Sequence, residues 1–199
     1  MFSKLVENFK KAALLFIIRK VTYLCCMRIY LVGYMGSGKS TFGRDLAKAL
    51  GVSWIDLDDE FETRYKITIP DFFSKYGETA FRDLEHKILN DISLIPDIVI
   101  STGGGSPCFH NNMQLMNQTG LTVYLQATPE LLISRIELSA RKRPLFQQMK
   151  GENFLEKITQ HLESREPYYQ QAKIVVSADK PDLVDLKNRV IAYFETING

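Results

Sequence analysis

The feature that most constrains this chain is the glycine-rich segment GYMGSGKS at residues 33–40, which fits the pattern G-x-x-x-x-G-K-[ST]. A short apolar run at 28–32 precedes it, and a helical pattern at 39–50 follows it. Glycines at these positions let successive backbone N–H groups converge on phosphate oxygens, and a helix N-terminus adds partial positive charge. The segment therefore predicts a nucleotide phosphate site between a strand and a helix.

Two side chains of this segment carry the chemistry of a phosphate site. Lys39 can reach the β- and γ-phosphates of a nucleotide, and Ser40 can offer its hydroxyl to Mg²⁺. The alternative is a glycine-rich turn with a surface lysine, but the flanking strand and helix patterns favour the nucleotide site. We therefore predict a nucleotide-binding set that consists of Gly36, Ser37, Gly38, Lys39, Ser40 and Thr41.

Strand and helix patterns alternate along the chain. Short apolar runs predict strands at 28–32, 52–57, 97–101, 121–126 and 173–177. Helical patterns lie between and after them, at 39–50, 59–65, 70–75, 78–92, 111–117, 129–139, 153–171 (with a break near Pro167) and 181–197. Such alternation predicts an α/β fold in which helices cover both faces of a parallel sheet.

Composition and charge exclude several classes of protein. Hydrophobic residues make up 45% of the 199 residues and charged residues 24%, which are ordinary globular values and exclude a disordered chain. The formal net charge of +2 is too balanced for a dedicated nucleic-acid binder. Three cysteines cannot form a framework of several disulfides, so we expect a reducing compartment and a cytoplasmic protein.

The first 26 residues differ from the rest of the chain. They contain five basic residues and one acidic residue, whereas the remaining chain has 20 basic and 22 acidic residues. Their apolar run at 12–18 is far shorter than the ~20 residues of a membrane span, and no small-x-small cleavage site follows it. Three interpretations of this extension stay open: a start placed too early, with Met27 as the true first residue, an amphipathic helix on the body or on a membrane surface, or a targeting segment. We expect residues 27–199 to form a single domain.

The second predicted strand ends in two carboxylates. Asp56 and Asp58 flank Leu57, so alternation along a strand would place both on the same side. Two carboxylates at the carboxyl end of a strand, beside the phosphate segment, suit the binding of a metal ion and the acceptance of a hydroxyl proton. The alternative for Asp58 and Asp59 is an acidic first turn that interacts favourably with the dipole of the following helix.

Six motifs in order resemble those of the shikimate kinase family, along nearly all of residues 28–198. They are GYMGSGKST at 33–41, DLD at 56–58, GETAFR at 77–82, GGG at 103–105, RPL at 143–145 and REPYY at 165–169. The resemblance implies a three-layer α/β/α fold like that of nucleoside monophosphate kinases, with a five-stranded parallel sheet, a lid at about 140–152 and a small substrate-binding lobe at about 57–90. It also implies transfer of the γ-phosphate of ATP to the 3-hydroxyl of shikimate, in aromatic amino-acid biosynthesis.

The resemblance assigns roles to the acids and to two arginines. Asp58 matches the carboxylate that holds the reacting hydroxyls and serves as the base, and Asp56 matches the acid near Mg²⁺, together with Ser40. Arg82 and Arg165 match arginines that bind the substrate carboxylate, with which a planar guanidinium can pair bidentately. From the residues alone, salt bridges on helix surfaces are the alternative for both arginines, because acidic residues stand at 78, 163 and 166.

The remaining predicted substrate positions are uncharged. The glycines at 103, 104 and 105 match the loop whose backbone approaches the substrate (Gly103, Gly104 and Gly105), and a flexible turn is the alternative. Phe73 and Phe81 match apolar wall positions over the substrate ring, with ordinary core packing as the alternative.

The loop at 141–151 resembles the family's lid. Arg143 matches the lid arginine, which neutralises charge on the transferring phosphoryl group and is thus a predicted catalytic and nucleotide-binding residue. Arg135 resembles an arginine near the nucleotide, although its spacing to Arg143 is one residue longer than in some members. For Arg141 and Lys142 the alternative is a solvated basic loop. Residues 177–181 fall where family members bracket the adenine ring.

Two other functions stay open. Gluconate kinase shares the fold and phosphorylates another polyhydroxy acid, although the GETAFR and GGG segments favour shikimate. A non-catalytic interaction module would have lost Lys39, Asp58 or the arginines, and all of these are present. We expect a monomer that uses Mg²⁺ with ATP, binds shikimate, has no nucleic-acid partner and is not stably inserted in a membrane.

Overall fold

Five parallel strands form the centre of the computed structural model, which describes residues 27–138 and 153–198. They are β1 (Arg28–Val32), β2 (Ser53–Asp56), β3 (Ile98–Ser101), β4 (Leu121–Gln126) and β5 (Ile174–Ser177). Their order across the sheet is β2-β3-β1-β4-β5, and every neighbouring pair is parallel. The loop after β1 therefore opens between the carboxyl ends of β3 and β4, where ligands bind in open α/β sheets.

Helices connect the strands. Those in the described ranges are α1 (Lys39–Leu50), α2 (Leu57–Tyr65), α3 (Ile69–Ile92), α4 (Asn112–Thr119), α5 (Pro129–Leu138), α6 (Phe154–Tyr169) and α7 (Leu183–Asn198), with a short 3₁₀ helix at Ser106–Cys108. Within residues 27–138 and 153–198, no helix combines the length and the apolar character that crossing a bilayer requires.

Alternating side chains of the strands divide the core into two layers. On β1, Ile29 and Leu31 pack on one face, with the buried apolar residues of α1 and α7. Tyr30 and Val32 pack on the other face, with those of α2, α3, α4, α5 and α6. The sheet is thus covered on both faces, and the predicted three-layer α/β fold with a five-stranded parallel sheet is confirmed.

Most element boundaries shift from the predictions by one or two residues, and three differences change the local structure. The second strand ends at Asp56 rather than at 57, because the Asp56 side chain accepts a hydrogen bond from the backbone N–H of Asp58 and so caps α2. The two helices predicted at 70–75 and 78–92 are one helix, α3, interrupted at Gly77 (φ 80°, ψ 173°). Helix α6 runs through Pro167 to Tyr169 instead of breaking near the proline. The extension at 1–26 and the predicted lid loop lie outside the described residues.

Candidate active site

The segment 33–40 forms the turn between β1 and α1. Gly36 and Gly38 have φ angles of 84° and 97°, in the left-handed region that side chains rarely adopt, so the backbone can fold back over the helix end. Gly38 is the N-cap of α1, and the first turn of α1 carries neither a capping side chain nor an acidic residue. The N–H groups at the start of α1 can therefore bind an anion, and the helix dipole favours one there.

Lys39 is buried at the base of this turn. Its ammonium donates hydrogen bonds to the carbonyls of Gly33 (2.8 Å) and Tyr34 (2.9 Å). Its own carbonyl accepts from the Ser101 hydroxyl (2.9 Å), which in turn accepts from the indole N–H of Trp54 (3.0 Å). The start of α1 is thus fixed to β2 and β3, and the lysine side chain is held over the phosphate loop.

Two carboxylates stand at the carboxyl end of β2. The hydroxyl of Ser40 donates to Oδ2 of Asp56 over 2.5 Å, while Oδ1 of Asp56 accepts from the N–H of Asp58 over 3.0 Å. The prediction that strand alternation aligns Asp56 with Asp58 is wrong, because Asp58 lies in the acidic first turn of α2. The helix cap keeps the two carboxylates adjacent instead, and both face the same cavity.

A cavity of about 610 Å³ extends from the phosphate loop to these carboxylates. All six predicted loop residues line it, together with Arg135, Gly104 and both carboxylates. On the side away from the carboxylates its wall comes from the segment after β5, where adenine contacts are predicted. The full lining consists of Gly36, Ser37, Gly38, Lys39, Ser40, Thr41, Phe42, Asp45, Asp56, Asp58, Thr102, Gly104, Leu125, Arg135, Ala178, Pro181 and Leu183.

Arg135 joins two walls of this cavity. From α5 it donates one hydrogen bond to the carbonyl of Ser37 (3.0 Å) and another to the carbonyl of Ala178 (2.8 Å). A side chain at Gly38 would lie 3.5 Å from its Nη1. Arg135 therefore connects the phosphate loop with the segment that follows β5.

Arg82 lies on α3 in a buried position, with 6% of its side chain exposed. Its Nη1 pairs with Oε2 of Glu85 (2.8 Å), and its Nε and Nη2 donate to Oε1 of Glu78 (3.1 and 3.0 Å). The salt bridge with Glu78, which was the alternative to substrate binding, is therefore present. The guanidinium is nevertheless buried and not on the helix surface. Glu78 thus occupies the edge of the guanidinium formed by Nε and Nη2, an edge that can pair bidentately with a carboxylate.

Glu85 is a buried acid that interacts with Asp58, Arg82 and Arg165. Burial raises its pKa to about 7, and the negative charge of Asp58 adds to this rise, while the positive charges of Arg82 and Arg165 oppose it. Its Oε1 has no hydrogen-bond partner among the described residues. A buried carboxylate with one bare oxygen between two cations and a second acid is typical of a site that binds a polar ligand.

The three consecutive glycines pass close to these groups. A β-carbon at Gly103 would lie 2.5 Å from Oε1 of Glu85 and 3.0 Å from Oδ1 of Asp58. A β-carbon at Gly105 would lie 2.5 Å from Nη2 of Arg82. A side chain at Gly103 or Gly105 would therefore have to displace these acids or the arginine. This close approach favours the ligand loop over the flexible turn.

Arg165 lies on α6, on the other side of the glycine loop, and is 7% exposed. Its guanidinium carbon is 5.7 Å from the ring centroid of Tyr34. The neighbouring Glu166 does not supply a surface partner, since it accepts instead from Tyr124 (2.7 Å) and Gln126 (3.1 Å). Arg165 is thus turned inward and away from solvent.

Phe73 and Phe81 lie beside Arg82 in a cluster of aromatic rings. Their ring centroids are 4.6 Å apart, and Phe81 also packs 4.8 Å from Phe61. The Arg82 guanidinium lies 5.0 Å from the Phe81 ring and 6.0 Å from the Phe73 ring. Phe81 is buried and Phe73 is half-buried, so core packing accounts for Phe81, while Phe73 keeps an accessible surface.

The similarity to known proteins agrees with this geometry. A family model described as shikimate kinase matches residues 35–192. The chain belongs to the shikimate kinase family. Among curated shikimate kinases, that of Bacteroides fragilis is 46% identical over 154 residues, which cover 77% of this chain and 86% of the relative. That of Parabacteroides distasonis is 43% identical over 168 residues, which cover 82% and 97%.

Solved structures of shikimate kinases share the fold. The enzyme from Bacteroides thetaiotaomicron superimposes with a TM-score of 0.75 at 38% identity, covering 85% of this chain and 98% of that chain. The enzyme from Acinetobacter baumannii, solved in complex with shikimate, gives a TM-score of 0.75 at 33% identity, covering 89% and 97%. The family predicted from the six motifs is confirmed.

The predicted site residues of this shikimate kinase family member fall into two adjoining groups. One lines the cavity over the phosphate loop, and the other surrounds Glu85 beside the glycine loop. Asp58 belongs to both groups, since it lines the cavity and its charge acts on the buried carboxyl of Glu85. Gly104 lines the cavity between Gly103 and Gly105, and its carbonyl accepts a hydrogen bond from Tyr169 (2.6 Å). Arg143 lies outside the described residues.

Sequence reasoning missed Glu85, Tyr34 and Tyr169. A signal for Glu85 existed, because it is an acid among the apolar positions of α3 and follows Arg82 by three residues. Tyr169 belongs to the REPYY motif, which we interpreted only through its arginine. For Tyr34, the position inside the phosphate loop hid a side-chain role that only the tertiary contacts reveal.

Proposed function

We propose that this ATP-dependent enzyme transfers the γ-phosphate of ATP to the 3-hydroxyl of shikimate, giving shikimate 3-phosphate and ADP. The observation that carries the proposal is the junction at Gly104 and Asp58. On one side of it lies the phosphate-loop cavity, and on the other lie two buried arginines that suit a small carboxylate. The chain is 46% identical to a curated shikimate kinase, which supports the same acceptor.

The transfer step is a displacement at phosphorus. The acceptor oxygen forms a bond to the γ-phosphorus as the bond from phosphorus to the departing ADP oxygen breaks. In our proposal Asp58 orients the hydroxyl and takes its proton, while Lys39 and the loop amides hold the phosphates. Most of the acceleration comes from positioning and from fixed charges, as in other phosphoryl transfers.

Ser40 and Asp56 fit a Mg²⁺ ion that accompanies ATP. Both offer hard oxygen donors, which Mg²⁺ prefers, and both line the phosphate cavity, joined by a hydrogen bond that the ion would replace. When bound, the ion neutralises charge on the phosphate oxygens. Asp56 also caps α2, so the metal-binding group is held by the fold and not by a flexible loop.

The acceptor is positioned through its carboxylate in this proposal. Arg82 and Arg165 can each pair with a carboxylate oxygen, and Glu78 is the internal group that a bound carboxylate would replace at Arg82. Gly103 and Gly105 leave room for Asp58, Glu85 and Arg82 beside the acceptor. Phe73 supplies an apolar wall for the substrate ring, and the buried Phe81 packs behind it. Arg143 would close over the transferring group and Arg135 would border the nucleotide, on the basis of the resemblance.

We also propose that the enzyme works as a cytoplasmic monomer. In support, the phosphate loop, Asp58, Arg82 and Arg165 all come from one chain, so these parts of the site need no second copy. Light scattering with and without both substrates measures the mass directly, and a stable dimer would contradict this part of the proposal.

ADP release, measured with and without shikimate, tests the function. We expect release that depends on shikimate, requires Mg²⁺ and is abolished in Lys39→Ala, a variant that should keep its fold. Gluconate serves as the second acceptor, and the chain that starts at Met27 serves as the second protein. Release that depends on gluconate, or on no acceptor, would contradict the assignment.

A further inference from the structure

Tyr34 makes a side-chain contact that phosphate binding does not use. Its side chain is buried, and its hydroxyl lies 2.6 Å from Nδ1 of His161 on α6. The two rings meet edge to face, with centroids 5.5 Å apart. The partners are 127 residues apart in sequence, so the contact joins the phosphate loop to a distant helix.

The same helix carries Arg165 one turn further on. His161 and Arg165 are four residues apart and so project from the same face of α6. The guanidinium of Arg165 lies over the Tyr34 ring, 5.7 Å from its centroid, which is within cation–π range. One phenol ring therefore contacts the imidazole through its hydroxyl and the guanidinium through its face.

The charge states of the three groups make this arrangement stable at neutral pH. Burial raises the pKa of Tyr34 to about 12, so the phenol keeps its proton. Burial, and then the positive charge of Arg165, lower the pKa of His161 to about 4, so the imidazole is uncharged. Arg165 thus lies next to a neutral hydrogen-bonded pair and not next to a second cation.

Tyr34 also contacts the phosphate lysine, but through its backbone. Its carbonyl accepts from the ammonium of Lys39 (2.9 Å), and this bond does not involve the phenol. Removing the phenol hydroxyl alone therefore leaves the groups that hold Lys39 in place. The two functions of Tyr34 can be separated by substitution.

We propose that Tyr34 and His161 form a positioning pair that orients Arg165 toward the carboxylate of the acceptor. The hydrogen bond fixes the phenol ring, and the fixed ring limits the directions open to the long arginine side chain. The pair acts on acceptor binding and not on nucleotide binding. The inference rests on the proposed function, in which Arg165 binds the shikimate carboxylate.

Four variants test the pair. His161→Leu and Tyr34→Phe each remove the hydrogen bond while keeping a side chain of similar bulk. His161→Asn restores a hydrogen-bonding partner for the phenol, because the asparagine amide can either accept or donate where Nδ1 stood. Gln160→Ala is the matched control, since Gln160 is an exposed neighbour on α6 whose side chain contacts only Glu156 among the described hydrogen bonds.

Steady-state kinetics with each substrate varied in turn gives the readout. We expect His161→Leu and Tyr34→Phe to raise the KM for shikimate roughly ten-fold, the effect of losing one partly buried hydrogen bond. The KM for ATP and kcat should change less than about two-fold, and the double variant should be no worse than either single one, since both remove the same bond. His161→Asn should recover most of the shikimate affinity.

Each outcome has a definite meaning. A folded His161→Leu or Tyr34→Phe protein with an unchanged KM for shikimate would overturn the positioning role while leaving the function intact. An equal rise in the KM for both substrates would also overturn it, because it would assign the pair to the phosphate loop in general. A wild-type chain with no shikimate-dependent ADP release would overturn the proposed function, and this inference with it.

Discussion

A β-carbon at Gly105 would lie 2.5 Å from Nη2 of Arg82, closer than β-carbons approach other heavy atoms in folded proteins. Gly105 has φ −89°, an angle open to any residue, so the need for glycine is steric. We expect Gly105→Ala to displace the guanidinium and raise the KM for shikimate by about ten-fold or more, the cost of weakening one charged hydrogen bond. The KM for ATP should stay near its wild-type value.

Gly51→Ala is the control for this substitution. Gly51 ends α1 with φ 72°, and a β-carbon there would meet open space. Alanine at that position should reduce the free energy of unfolding by about 1 kcal/mol without changing either KM. If Gly105→Ala behaved in the same way, Arg82 would not be in contact with the substrate.

Replacing Arg82 itself should have a larger effect. Arg82→Leu removes the guanidinium and should raise the KM for shikimate by roughly 10- to 100-fold, with little effect on the KM for ATP. Arg64→Leu is a matched control, because Arg64 also forms ion pairs with two acids, Glu60 and Asp91, but on the outer side of α2. An unchanged KM for shikimate in Arg82→Leu would remove this arginine from the substrate site.

Ser40→Ala should lower the affinity of the enzyme for Mg²⁺. The substitution removes the hydroxyl that lies 2.5 Å from Asp56, so the half-saturating Mg²⁺ concentration should rise by about ten-fold or more at saturating ATP. Ser53→Ala, which removes an exposed hydroxyl at the start of β2, should leave it unchanged. A Ser40→Ala enzyme with the Mg²⁺ dependence of the wild type would contradict the proposed metal position.

Glu85 should make stability depend on pH. Its folded-state pKa of about 7 lies above its ordinary value of 4.5, so the folded chain binds a proton that the unfolded chain has already lost. The resulting destabilisation is absent below about pH 4.5, grows as the pH rises and is fully present above about pH 7. Glu85→Gln removes this titration.

Denaturant unfolding of the wild type and Glu85→Gln at several pH values measures the effect. His161 acts in the opposite direction, since its lowered pKa makes the folded state lose stability as the pH falls from 6.5 toward 4. In the wild type, the free energy of unfolding therefore responds to pH in two opposite ways. Subtracting the wild-type values from those of Glu85→Gln isolates the contribution of Glu85. We expect Glu85→Gln to gain stability relative to the wild type as the pH rises from 5 to 7.5, and a constant difference would contradict the raised pKa.

The sequence predicted the phosphate loop and all five strands because these features depend on short-range patterns. A G-x-x-x-x-G-K-[ST] segment needs only the backbone of its own eight residues, and a buried strand shows as a local apolar run. The boundary at Asp56 was missed because a helix cap competes with the strand for the same residue. The local sequence pattern did not show whether the residues after Asp56 would continue the strand or start the helix.

The contact between Tyr34 and His161 was beyond prediction for a different reason. It joins side chains that lie 127 residues apart in sequence. The burial of Arg82 and Arg165 belongs to the same class, because the helix pattern allowed surface ion pairs equally well. Only the tertiary fold determines whether a charged residue on a helix faces solvent or a ligand.

The chain contains a single tryptophan, and its position gives the protein an optical reporter. Trp54 donates to Ser101, Ser101 donates to the backbone of Lys39, and the Arg44 guanidinium lies 4.7 Å from the indole ring centroid. A shift of the phosphate loop on nucleotide binding would change the electric field at the indole. Its emission can therefore follow the first binding event in the unmodified protein, without a label and without a second tryptophan to obscure the signal.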